Sequence, residues 1–134
     1  MLRRWILLGL TFALSACQPQ QAPEDAGVCW RVREDSSGAV RFQPLARGVG
    51  NLETCAVLLE GLRLKGEAEP DGAYQGYFIL VDATAVRSGP HLTGLHYPVF
   101  QPPQRAAIDR DLGKILKSHG GRLPDASELS LERK

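Results

Sequence analysis

Apolar residues change their spacing several times along the chain, and each change predicts an element. From 28 to 34 they alternate, placing Val28, Trp30 and Val32 on one face, which is the two-residue period of a strand. Asp35-Ser36-Ser37-Gly38 is a turn signal. Residues 39–45 predict a second strand with Val40 and Phe42 inward, so that 28–45 reads as a hairpin with a four-residue loop. The period then lengthens. Leu52, Cys55, Ala56, Leu59 and Leu62 form one helical face behind an Asn51 N-cap, with Gly66 as the stop.

After the turn Glu69-Pro70-Asp71-Gly72, residues 73–83 carry a nearly unbroken apolar run, predicting one central strand covered on both faces. Gly76 within it marks a bulge or a close backbone contact. Residues 86–100 hold Gly89-Pro90, Gly94 and Pro98, and predict an irregular excursion with at most a short strand. Pro102-Pro103 opens a second helix over 104–118, striped by Ile108, Leu112, Ile115 and Leu116. These elements predict a small single α+β domain over 27–121, arranged as hairpin, helix, central strand and helix. Residues 122–134 are polar and predict a mobile or loosely helical tail. No internal repeat is found.

The N-terminus follows a different logic. Arg3 and Arg4 precede the apolar run Trp5–Leu14, which is of export-signal length and short for a membrane span. Leu14-Ser15-Ala16-Cys17 follows at once and resembles the lipobox of bacterial lipoproteins. The resemblance covers about the first 17 residues. It implies that 1–16 are a signal peptide, that Cys17 is the lipid acceptor on its thiol, and that the membrane is a partner through that anchor. An ordinary signal peptide and an uncleaved anchor are the competing readings. Gln18 is not the aspartate associated with inner-membrane retention in enteric bacteria, which leans the expectation toward the outer membrane. Residues 17–26 lack large apolar side chains and predict a flexible tether.

Three cysteines occur in the chain. With Cys17 lipidated, Cys29 and Cys55 form an even pair in an exported protein, which reads as a disulfide. Cys55 falls on the apolar helix face, where it can meet the first strand. Such a loop closure stabilises by about 3 kcal/mol.

Charge excludes one class of partner. Of 16 basic residues two precede Cys17, leaving 14 against 15 acidic, a net −1 after cleavage. Nothing in that balance favours nucleic acid. His91 and His96 share one loop, but no cysteine or carboxylate stands at ligand spacing, so no metal is expected. A hydrolase triad can be written from Ser88, Thr84 or Thr93 with His91 or His96 and Asp82, without a nucleophile-elbow pattern. Gly48-Val49-Gly50 lacks the lysine and full glycine pattern of a phosphate loop, and no cofactor is expected. Tyr74, Gln75 and Tyr77, in the densest aromatic stretch, are the candidate edge of a binding surface.

The order of aromatic-led strand, loop, Asn51-to-Leu64 helix and apolar strand is similar to the SPOR module of envelope proteins, which binds peptidoglycan. The resemblance is one of pattern, ends at Asp82, and transfers no binding residue. The expected function is a lipid-anchored, periplasm-facing accessory protein that binds an envelope protein or peptidoglycan. The alternatives are a small hydrolase using a histidine of the 88–97 loop, or an inhibitor of a lytic enzyme presenting Arg87–Tyr97.

Overall fold

A computed structural model describes residues 20–129. Residues 1–19, which hold the expected signal segment and Cys17, and residues 130–134 lie outside the described residues. The elements run β1 (Cys29–Glu34), β2 (Val40–Ala46), α1 (Leu52–Leu64), β3 (Gly72–Tyr74), β4 (Tyr77–Val81), β5 (Val86–Gly89), β6 (Tyr97–Pro98) and α2 (Pro102–Ser118). The strands form one antiparallel sheet in the order β2-β1-β3-β4-β5-β6. The domain is α+β, as the pattern predicts, and Cys29 and Cys55 are joined by a disulfide with Cα atoms 5.3 Å apart.

The hairpin closes where Asp35 Oδ1 accepts the backbone N–H groups of Ser37 and Ala39. Asn51 caps α1, its Oδ1 accepting the Thr54 N–H at 2.8 Å. Gly66 ends the helix with positive φ, and the Glu67 N–H returns to the Leu62 carbonyl. Residues Thr54–Leu62 of α1 are all buried. A one-faced helix would leave half of them in water. Here the sheet, α2 and the segment after α2 each cover a side.

Gly72 permits the close approach of helix and sheet. A Cβ there would lie 2.5 Å from both the Trp30 carbonyl oxygen and a Leu59 methyl. The main core fills this interface with Val49, Leu59, Leu62, Tyr74, Ile79, Val81, Val86, Phe100 and Leu112.

Three expectations are corrected. The single strand over 73–83 is a hairpin, because Gln75 and Gly76 both take positive φ (42° and 87°) and reverse the chain in two residues. Residues 17–26 are not wholly a loose tether. Ala22 is buried against Ala73 and Phe78, and the Gly76 N–H donates to the Pro23 carbonyl at 2.9 Å. The tail is not loose from residue 122 either. Pro124 is buried, and Leu123, Ala126 and Leu129 pack on the main core. Gly61 makes the room, since a Cβ there would stand 2.6 Å from Leu123 Cδ2. Within 86–100, β5 and β6 add two short strands to the sheet edge.

Candidate binding face and buried charge cluster

Alternation along the strands sends Cys29, Tyr74, Ile79 and Val81 toward the helices and Trp30, Val32, Phe42, Ala73 and Phe78 to the opposite side. Both faces of the sheet centre are therefore apolar. Phe42 and the side facing Trp30 and Val32 do not point into the helix-covered core, as an inward assignment expects. They build a second, smaller cluster on the open face. Phe78 is its fully buried centre, with the Phe42 ring tilted against it at 6.1 Å between centroids. Trp30, Val32, Phe42 and Leu92 are only half-buried around it. The Trp30 indole Nε1 is buried without a partner among the described residues. Among the described residues no helix covers this face. It is a half-exposed apolar centre with Glu34 and Arg87 on its rim.

The residues singled out from the aromatic stretch separate. Tyr74 is buried, and its hydroxyl donates to the Val49 carbonyl at 2.7 Å, so it ties the sheet to the start of α1 and edges no surface. Burial and, less, the Glu53 charge push its pKa up. Gln75 is the turn residue, its Oε1 accepting the Gly27 N–H at 3.0 Å. Gln75 and Tyr77 are both exposed, and of the two tyrosines only Tyr77 reaches solvent.

His91 and His96 stand in the loop between β5 and β6, with His96 Nε2 2.7 Å from the His91 carbonyl oxygen. Asp82 lies before β5 and the histidines after it, at opposite ends of that strand. Asp82 instead builds the β4–β5 turn, accepting the Thr84 and Ala85 N–H groups at 2.7 and 2.8 Å, and these bonds hold its carboxyl below the usual range. Among the described residues no group of three or more His, Cys, Asp and Glu is placed to hold a metal.

One constellation was not legible in the sequence. Glu60, in mid-α1, is completely buried. Its Oε1 accepts Arg63 Nη2 at 2.6 Å and its Oε2 accepts Arg105 Nη2 at 2.9 Å. Arg105, in the first turns of α2, also donates to the Asp82 carbonyl oxygen at 2.5 Å. Arg63 reaches Asp109 of α2 at 3.4 Å. Burial raises the Glu60 pKa, but hydrogen bonds from Arg63 and Arg105 more than offset it, and Glu60 stays ionised. Asp109 is pushed up to about 6 by burial first, then by the neighbouring Glu60 carboxylate. Asp109 Oδ1 is buried and unpartnered among the described residues. Two carboxyls and two guanidiniums thus clamp α1, α2 and the β4–β5 turn together. No sequence signal marks Glu60 except its place one residue after the buried Leu59.

No family model matches the chain, and no curated protein or solved structure matches it at a significant level.

Proposed function

We propose that this protein is a lipid-anchored accessory protein of the bacterial envelope that binds a partner and does no chemistry of its own. The observation that carries the reading is the disulfide between Cys29 and Cys55, both fully buried. A structural disulfide belongs to an oxidising compartment, which the lipobox-like Leu14-Ser15-Ala16-Cys17 also implies. The pairing uses two of the three cysteines and leaves Cys17 for the lipid.

The binding half of the reading rests on the open sheet face. An apolar centre of Trp30, Val32 and Phe42 with a charged rim has the composition of a protein-contact surface. An extended envelope protein or the peptide part of peptidoglycan is the partner that such a face takes.

Intact mass of the membrane-extracted protein tests the anchor. The expected mass is the chain from Cys17 plus diacylglycerol, with two thiols alkylated only after reduction. A crosslinker carried at Val32 or Phe42 tests the face, and the expected result is one specific envelope adduct that a Trp30→Ala substitution abolishes. An unlipidated mass, or adducts indifferent to Trp30, would overturn the corresponding half.

A further inference from the structure

The start of the described chain, at Ala22 and Pro23, and the exposed apolar residues lie at one end of the sheet. Ala22 is buried beside Phe78, and Leu92 of the β5–β6 loop packs on that same small cluster. Pro23 is bonded to Gly76, whose neighbour is Tyr77. Only Gln18, Pro19, Gln20 and Gln21 separate Cys17 from Ala22. Even fully extended, those five steps span about 17 Å. A lipid on Cys17 therefore holds this end of the domain within about that distance of the bilayer.

The same end presents large apolar side chains to solvent. Leu95 is 77% exposed, Tyr97 67% and Tyr77 51%. Single exposed apolar residues are ordinary. Three of them gathered beside a short lipid tether are not scattered. From Ser88 to Gln104 the chain also carries no Asp, Glu, Lys or Arg, in a protein that is 23% charged. The loop is held in place: Gly89 lies so close to the Leu95 carbonyl and the His96 ring that a Cβ would come within 2.6 and 2.7 Å of them. Leucine and tyrosine are the side chains that partition into the boundary between headgroups and acyl chains.

Resting on the lipoprotein reading above, we infer that the 90–97 loop and the β3–β4 turn form a membrane-contact surface, with Leu95 and Tyr97 seated in the bilayer interface beside the lipid of Cys17. Glu24 and Asp25 are exposed at this end, so it offers no attraction to anionic headgroups. The contact is apolar and does not depend on salt. It fixes the domain's orientation, with the sheet standing off the membrane and its open face turned sideways toward a partner.

The test uses the intact processed protein in phosphatidylcholine vesicles, with its mass checked for diacylglycerol. Tyr97→Trp and, separately, Leu95→Trp place a reporter on the loop. The unsubstituted protein, whose sole tryptophan after cleavage is Trp30, supplies the baseline. The expected result is a blue-shifted reporter emission, quenched at least twofold by lipids brominated near the headgroup and unchanged between low and high salt. A lipidated protein whose reporters stay open to iodide in vesicles overturns the inference and leaves the anchor standing. Reporters open in vesicles but shielded in native envelopes overturn it in favour of a protein partner at the loop. A mass without lipid removes the anchor reading and this inference together.

Discussion

Asp109 is partly buried between a negative neighbour and two guanidiniums, and burial together with the Glu60 charge outweighs the two cations. Its pKa of about 6 in the folded chain exceeds the ordinary 3.8. Between those values the folded state binds more protons than the unfolded one, so this group's stabilisation grows as pH falls. It is complete below about pH 4 and lost as pH rises through 6. The Asp109 side chain is 28% exposed, and solvent screening reduces the full two-unit linkage to about 1 kcal/mol. Asp109→Asn keeps a donor toward Glu60 and removes the ionisation. Thermal melts should show the variant about 4 °C more stable at pH 8, with no gain at pH 4.5. A variant that melts like the parent at both pH values would show that Asp109 carries no shifted proton. Gly72 makes a second demand at this scale. A methyl there collides with backbone at the Trp30 carbonyl as well as with Leu59, and backbone cannot swing aside. Gly72→Ala should cost about 2 kcal/mol in urea unfolding, within the 1–3 kcal/mol usual for an overpacked core. Gly61→Ala meets only a leucine methyl and should cost less.

At the scale of elements, the clamp at Glu60 decides how α2 is held. α2 buries little of itself: Arg105, Leu112 and Leu116 are its buried residues. Its start is fixed by Arg105 gripping Glu60 and the Asp82 carbonyl. Replacing Glu60 with alanine removes the buried charge from between the two guanidiniums, leaving Arg63 only its longer contact to Asp109 and Arg105 only the Asp82 carbonyl. Breaking a buried pair from one side costs about 3–5 kcal/mol. Glu60→Ala should lose about 3 kcal/mol in denaturant unfolding, with faster hydrogen exchange in the first turns of α2. Glu60→Gln, which keeps the shape and part of the bonding, should lose less. This clamp also shows where pattern reading stops. Leu52, Cys55, Ala56, Leu59 and Leu62 repeat at helical spacing, so α1 was legible. Glu60 looked like a solvated position because helical periodicity assigns a face to water, and only the packing of α2 removes that water. The Gln75-Gly76 turn was hidden for a related reason. Apolar residues lie on both sides of it, and Gln75 takes positive φ while its side chain is bonded to Gly27. The tail after Arg122 read as polar because its packing depends on Leu123 meeting a glycine in another element.

For the molecule as a whole, the disulfide joins the two layers of the fold. Cys29 begins β1 at the sheet centre and Cys55 lies in the first turns of α1. The bond closes a loop across 26 positions that contains β1, β2 and the helix start. Constraining the unfolded chain over that length is worth about 3.5 kcal/mol. Domains of this size have only about 5–15 kcal/mol in total, so the bond carries a large share. Both sulfur-bearing residues are fully buried, and a reductant reaches them only when the layers part. Two outcomes follow together. Dithiothreitol alone should leave the folded domain oxidised over hours, while the same reductant with mild urea should reduce and unfold it. The Cys29→Ser, Cys55→Ser double variant should fold with a lower urea midpoint, corresponding to a loss of about 3.5 kcal/mol. Rapid reduction of the native protein would place the bond in an opening segment, not between the layers. A fold so dependent on this bond is weakest in a reducing compartment.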